Sequence, residues 1–582
     1  MDISETSRKR KASDLDEKSP LVFSESLAKF FAENKNNAGF ENPGKALYTT
    51  VRELVENGLD SAESIGEFPV IQVTIEEISR SCYRVTCKDN GRGISHDAIP
   101  DIFGRGLVIY NNIQKVVVML LFLTYKNHTL SIRKKYGMKQ TRGKSRFGGA
   151  KMVSVWSKMS TGVPIEIYTG MKNQKYHTYC SLDIDIHRNM PIVHSLNLTK
   201  SEDVDDWHGA KITVVIKGNY GSEILEYMRQ MTVITPYAEF KFEYVPADTT
   251  DENGGVKKSY PRISEKMPPV PVETKYHPSA VDSLSIIPRL IGQTSNQNLL
   301  QFLLHEFVKI NKAQALKLIG EMGPGVTSET QVNSFTFPQI NRMHELFQQG
   351  QFDDPTGNCL SPLGESGFGL GINHVLHPQL VATYTAKRAQ VYQGHPFIVE
   401  AGVSVGGNEL KQGFNIFRFA NRVPLLFEQD ADVVTTTAME RIKWKRYKIN
   451  KDHDKVGVFV NIVSTKKIPF KGTVDDTSQI ADAVKTCLEH CCKRLKQDIH
   501  KAKIKSNLEL EVDHLSYINY VLLLIILNVF ILGAAPLIKL HLILLSWWRM
   551  IQQLLQKMQK KWHVKRFLTV LERTDFSIRW QL

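Results

Sequence analysis

A chain of 582 residues exceeds what one hydrophobic core organises, and predicts three or four folded units. With 23% charged and 42% hydrophobic residues it has an ordinary globular balance, which excludes a wholly disordered chain. Seven cysteines, an odd number with no CxxC pair or zinc-type His spacing, argue against a secreted disulfide scaffold and a structural zinc site, while 74 Lys and Arg against 60 Asp and Glu give +14, compatible with a polyanionic partner.

The N-terminus, MDISETSRKRKASDLDEKSP, is polar and lacks the apolar stretch of a signal peptide. Residues 1–20 read as a disordered basic tail, and its SRKRKAS run as either a nuclear address or a solvated charge cluster. Residues 22–36 have a helical pattern. Beyond a Pro/Gly turn, KALYTTVRELVENGLDSAESIG predicts a longer helix closed by Gly66. On it Glu53, Asn57 and Asp60 fall at i, i+4 and i+7, so two acids and an amide share one face with no basic residue among them. A solvated acidic stripe is the ordinary explanation of such a face.

FPVIQVTIEEI and SCYRVTCKDNGRGI alternate as strands, and the second runs into a turn in which Asp89 precedes Gly91 and Gly93, residues that let a ligand approach the backbone. Residues 140–152, QTRGKSRFGGAKM, read as a glycine-rich loop opening a helix, where free N–H groups can cradle phosphates and Lys151 can add charge. Further strands are expected at PIEIYTG, KYHTYCSLDIDIH and GAKITVVIKG, so the first region is expected to be an α+β sandwich. Asp183 and Asp185 form a DxD within such an alternating strand and read as structural. The polar, Pro- and Gly-rich residues 244–278 mark a linker. Residues 282–348 are helical in pattern. From about Gln351 a second α+β region is expected, with strands at HPFIVEAGVSVGG, FNIFRFANRVPLLF and DKVGVFVNIVSTKK, then a long helix over roughly 475–508.

In that order and spacing the long helix, the DNGRG turn and the glycine loop resemble the nucleotide-binding fold shared by gyrase, the ninety-kilodalton heat-shock chaperones, sensor histidine kinases and MutL. The blocks KALYTTVRELVENGLDS, IPDIFGR, KYGMKQTRG, VITPYAEF, YQGHPFIVEAGV and FANRVPL narrow the resemblance to the B subunits of DNA topoisomerase VI, over roughly residues 21–508. The resemblance implies an α+β protein: an α/β sandwich ATP-binding domain (21–250), a small helix-two-turns-helix domain (276–350) and an α+β transducer domain with a long helix (351–508). It implies ATP and Mg²⁺ as cofactors. Glu53 would be the general base for the attacking water and Asn57 the Mg²⁺ ligand. Asp89, in the turn shaped by Gly91 and Gly93, would accept from the adenine amino group. Lys135 and the loop from Gly143 to Lys151, including Gly148, Gly149 and Ala150, would hold the phosphates. The implied partners are the A subunit, which carries the cleavage tyrosine, double-stranded DNA, and a second copy with which the chain dimerises on binding ATP. A nuclear location is expected and membrane association is not.

Several positions depart from that family. Arg146-Phe147-Gly148-Gly149 stands in place of a Gly-Leu-Gly loop, with an extra residue upstream; FKGTVDD (470–476) skips the segment carrying the transducer lysine, a role that neither Lys467 nor Lys471 inherits; and Ala210 replaces a threonine beside Asp89. Residues 106–134 form an atypical apolar insertion, and 509–582 an atypical tail whose YVLLLIILNVFILGAAPLI meets the roughly 20-residue length of a membrane span. Both stretches also fit a translated intron or a shifted frame, the reading preferred here. The departures leave open a second class of function, a scaffold that binds DNA or the A subunit without hydrolysing ATP.

Overall fold

Asn42 starts the first long helix. Its side chain accepts a hydrogen bond from the Lys45 amide at 2.9 Å and Pro43 fills the first helical position, so α1 (Pro43–Glu63) opens with an orphan donor capped and φ preset. The chain leaves the helix through Gly66 at φ +74°. This is a computed structural model of the chain, and it describes residues 39–103, 137–142, 149–200 except 187 and 189, 207–247, 255–427 except 285, 432–466, 477–501 and 549. The chain divides into two units, Met1–Asp498 and Ile499–Leu582, and every element named below lies in the first.

Strands β1 (Val70–Ser79) and β2 (Cys82–Lys88) pair antiparallel and alternate between buried and open positions, with Ile71, Val73, Ile75, Val85 and Cys87 turned inward. Six more strands, β3 (Ile165–Gly170), β4 (Tyr176–Asp185), β5 (Met190–Lys200), β6 (Gly209–Lys217), β7 (Glu239–Val245) and β8 (Val256–Tyr260), extend them into one sheet ordered β5-β4-β3-β6-β2-β1-β7-β8. It is antiparallel except where β1 meets β7. α1, α2 (Gly149–Ser160) and α3 (Ser222–Ile234) pack their apolar stripes against it, which is what period-two strands with one apolar face require. One expectation changes: β8 lies inside the stretch read as linker, where Val256–Tyr260 pairs with β7 as an edge strand.

Helices α4 (Ile286–Gln293), α5 (Leu299–Glu306), α6 (Lys312–Glu321) and α7 (Phe337–Gln349) surround a core of their own, including Phe302, Phe307 and Phe347. Capping boxes at Asn311/Gln314 and Thr336/Gln339 fix where α6 and α7 begin.

The last region opens with α8 (Glu365–Leu376), followed by β9 (Leu380–Thr385), β10 (Gln390–Tyr392), β11 (His395–Val405), β12 (Gly413–Ala420), β13 (Val423–Pro424) and β14 (Lys455–Ser464). Their sheet runs β10-β11-β14-β12-β13, with β9 on β11. β14 is buried along nearly its whole length, as a strand covered on both faces must be. One cover is α9, over 477–498, which buries Ile480, Val484, Leu488, Cys491 and Leu495 at helical spacing. α8 also crosses α3 so closely that a Cβ on Gly371 would lie 1.9 Å from the Val233 carbonyl oxygen, and the two sheets thereby share one core.

Candidate functional site

Two glycines bring the DNGRG turn onto α1. A Cβ on Gly58 would lie 3.0 Å from the Asp89 Cβ, and one on Gly91 only 2.1 Å from the Ser61 Oγ. Arg92 N donates to that same Ser61 Oγ at 3.0 Å. The turn therefore lies flat on the helical turn that follows Asn57, with Asp89 against Gly58 although 31 positions separate them in the chain.

Asp89 is held by backbone. Its Oδ1 accepts from Gly91 N at 2.8 Å and Ala210 N at 3.2 Å, so the amide of Ala210 binds the carboxylate even though that residue has no hydroxyl. Burial pushes the Asp89 carboxyl up to about 6, with these two amides pulling the other way. Behind the turn the Trp207 indole N–H donates to the Asp89 carbonyl at 3.0 Å, His208 Nδ1 donates to the Gly91 carbonyl at 2.7 Å, and Thr169 Oγ1 donates to the Gly209 carbonyl at 2.7 Å. Trp207 in turn stacks on Tyr168, with ring centroids 5.9 Å apart. Backbone and side-chain hydrogen bonds thus fix Asp89 and its turn from behind.

The polar face of α1 divides. Glu53 is only 2% exposed, and Arg52 Nη2 donates to its Oε1 at 2.6 Å while Arg52 Nε lies 3.4 Å from Glu56. No basic residue lies among Glu53, Asn57 and Asp60 on their shared face, yet Arg52 reaches it from the preceding position: successive side chains on a helix diverge, but an arginine is long enough to wrap back onto its neighbour. Burial would favour a neutral Arg52, and the carboxylates of Glu53 and Glu56 outweigh it, so its guanidinium stays charged. Asn57 is half-buried, and its amide makes no side-chain hydrogen bond to the described residues. Asp60 is drawn away to Arg142, 3.0 Å distant.

Gly149 and Ala150 are the first residues of α2, which packs beside α1, and Lys151 is the third. Burial lowers the Lys151 ammonium to about 8, opposed by Asp101. Lys135, Gly143 and Gly148 lie outside the described residues, as do Lys467 and Lys471, the tail 1–20, the insertion 106–134 and the segment 509–582 apart from residue 549. Among the described residues no cluster of three His, Cys, Asp or Glu could hold a metal, and no helix is long and apolar enough to cross a membrane. An amide oxygen such as that of Asn57 nevertheless suits Mg²⁺, which takes oxygen ligands and completes its shell with water and phosphate. Asp183 is structural: buried on β4, it pairs with Lys158 at 2.6 Å.

Arg142, Tyr237 and Arg422 lie in sequence blocks that mark the family resemblance, but no motif gives them a role, yet all three converge on Glu63 at the end of α1. Sequence reasoning also passed over RIKWKRYK, where Arg441, Lys443, Lys445, Arg446 and Lys448 are exposed while Trp444 and Tyr447 are buried beneath them. The density of basic residues there was the available signal.

Two family profiles match the chain: "Histidine kinase-, DNA gyrase B-, and HSP90-like ATPase" over residues 43–115, and "Topoisomerase VI B subunit, transducer" over 355–510. Among curated proteins, the DNA topoisomerase 6 B subunit of Arabidopsis thaliana is 49% identical over 86% of this chain and 81% of its own length. Its counterpart in Oryza sativa subsp. indica is 49% identical over 83% and 75%. The type 2 DNA topoisomerase 6 B subunit of Saccharolobus islandicus is 34% identical over 85% and 88%.

Proposed function

This chain belongs to the family of DNA topoisomerase VI B subunits, and on that premise we propose that it is the ATP-binding and ATP-hydrolysing component of a type IIB DNA topoisomerase. The observation that carries the reading is the seating of the DNGRG turn, with Asp89, at Gly58 and Ser61 of α1, the helix that also carries Glu53 and Asn57.

Asp89 accepts the adenine amino hydrogen through the oxygen not used by Gly91 and Ala210; guanine offers a carbonyl at that position, so ATP is chosen over GTP. Glu53 acts as the general base that orients and deprotonates the attacking water, and Arg52 holds its carboxylate in place. Asn57 supplies the protein ligand to Mg²⁺, which when bound neutralises charge on the triphosphate. The phosphates rest against the start of α2, with Lys151 adding charge, and with Lys135 and the loop containing Gly143, Gly148, Gly149 and Ala150 completing the cradle.

Binding of ATP pairs two copies of the chain into a gate around one DNA duplex, and hydrolysis reopens it. The A subunit cleaves the duplex through which the other passes, in an A2B2 assembly working in the nucleus. The exposed basic run Arg441 to Lys448 suits a protein that follows phosphate backbone without reading bases. Supercoiled DNA incubated with this chain and its A subunit tests the reading: relaxation that requires both chains and ATP supports it, and relaxation that proceeds unchanged without ATP or without this chain contradicts it.

A further inference from the structure

Four ionisable side chains meet where α1 ends. Glu63 Oε1 accepts from Arg142 Nη2 and from the Tyr237 hydroxyl at 2.6 Å, and Glu63 Oε2 accepts from Arg422 Nη2 at 3.2 Å. Arg142 Nη2 also reaches the Tyr237 hydroxyl, at 2.9 Å. Arg142 and Arg422 are each 2% exposed at the side chain. They come from different parts of the protein: Arg142 directly precedes Gly143 and the glycine-rich run, and Arg422 sits in the turn between β12 and β13 of the second sheet.

The turn is built to present that arginine. Asn421 and Arg422 both adopt left-handed backbone, at φ +50° and +66°, a conformation that disfavours residues with a Cβ and persists only where surroundings enforce it. The enforcement comes from β14: Ser464 N donates to Asn421 Oδ1 at 2.8 Å, and Arg422 N donates to Asn461 Oδ1 at 3.2 Å. Asn461 Nδ2 then donates to the buried Glu400 at 2.7 Å, whose other oxygen accepts from Gly364 N at 2.6 Å, just ahead of α8.

The segment ahead of the glycine run is gripped by the same region. Asn421 Nδ2 donates to the Thr141 carbonyl at 2.9 Å, and Ser361 N donates to Gln140 Oε1 at 2.7 Å. Among the described residues the Nε donors of Arg142 and Arg422 are buried without a partner, and apolar side chains would serve stability at least as well as such a cluster. A buried ionic cluster of this kind fits a joint with more than one arrangement.

We infer that Arg422, acting through Glu63 and with Arg142, is the positioning residue that couples the nucleotide-site helix and the segment leading into the glycine run to the second sheet. The inference rests on the ATPase reading above. Occupancy of the site moves residues 140–142 or the end of α1, and the Arg422 turn passes that movement to β14 and the start of α8.

The test uses the full chain with its A subunit and DNA, comparing the parent, Arg422→Gln and the milder Asn421→Gly, which permits the left-handed backbone but gives up the side-chain hydrogen bonds to Thr141 and Ser464. Three quantities are read: equilibrium binding of a fluorescent, non-hydrolysable ATP analogue, kcat and KM for ATP, and the protection that the analogue gives the second sheet against protease. In Arg422→Gln, analogue binding and KM should stay within about threefold of the parent, kcat should fall by about tenfold or more, and protection should be lost although the analogue is bound. Asn421→Gly should shift in the same direction by less, and it carries the test if Arg422→Gln does not fold. Parent-like kcat and protection in the variants overturn this inference alone, as does a loss of kcat no greater than the loss of folded, analogue-binding protein. A parent that binds no nucleotide overturns the ATPase reading and this inference with it.

Discussion

Gly58 and Asp89 touch: a Cβ on Gly58 would stand 3.0 Å from the Asp89 Cβ and 2.9 Å from the Ile71 Cδ1. A helix glycine normally costs stability, and here it is what lets the turn carrying Asp89, the proposed adenine acceptor, lie against the helix that carries Glu53 and Asn57. Gly58→Val forces Asp89 outward. The expected result is a KM for ATP raised by about tenfold, with about 1–3 kcal/mol of lost stability, read by steady-state kinetics and denaturant titration.

The pH dependence follows from two groups. In the proposed roles, Asp89 accepts the adenine amino hydrogen most strongly when ionised, and Lys151 attracts phosphate through its charge only when protonated. Since kcat/KM reports the free enzyme, its profile for ATP should fall away below about pH 6 and again above about pH 8. Lys151→Met should flatten the alkaline limb and lower the plateau. A profile flat from pH 5 to 9 would contradict both assignments.

The same buried Asp89 links binding to stability. Its folded pKa lies above its unfolded value near 4, so the folded state holds the extra proton between about pH 4 and pH 6, and stability is lost as pH rises through that window. The loss amounts to about 3 kcal/mol. Above pH 6 Asp89→Asn should therefore melt no lower than the parent, and binding of ATP should nevertheless be weaker; thermal melts and titration on the same samples separate the two effects.

Arg52 neutralises two buried acids, Glu53 and Glu56. Arg52→Met removes that charge while leaving the volume nearly filled, and the expected cost is about 3–5 kcal/mol, the range seen when one member of a buried pair is deleted. The double variant Arg52→Met/Glu53→Gln should recover part of it. Urea midpoints at constant slope measure both.

The exposed basic run makes a prediction about salt. Replacing Lys443, Lys445, Arg446 and Lys448 with alanine should weaken DNA binding at every sequence alike, and should lower the slope of log K against log salt by about 0.9 for each phosphate no longer neutralised. ATP turnover in the absence of DNA should not change.

The fold class was legible because most strands follow a two-residue period and α1 carries its own start and stop signals. What escaped did so for physical reasons. The solvent-facing edge strand β5 shows almost no alternation in burial, so its sequence carries none either. Val256–Tyr260 becomes strand β8 only because β7 offers an open edge beside it. ESGFGLGINHVL, poor in helix formers, is α8 because Gly371 lets it press against α3. In the site, the motifs identify Glu53, Asn57 and Asp89 as candidates, but the Arg52–Glu53 pairing runs against the rule that adjacent helix side chains diverge. The meeting of Glu63 with Arg142 and Arg422 spans 79 and 359 positions, and no local pattern records it.

The central claim is that this chain hydrolyses ATP through a carboxylate on α1. Steady-state ATP turnover by the purified parent and Glu53→Ala, assembled with the A subunit and DNA and with nucleotide binding measured on the same preparations, tests it most directly. The account predicts turnover in the parent and, in Glu53→Ala, ATP bound with similar affinity but turned over at least about a hundredfold more slowly. Equal turnover in the two proteins, or none in a parent that binds ATP, would contradict it.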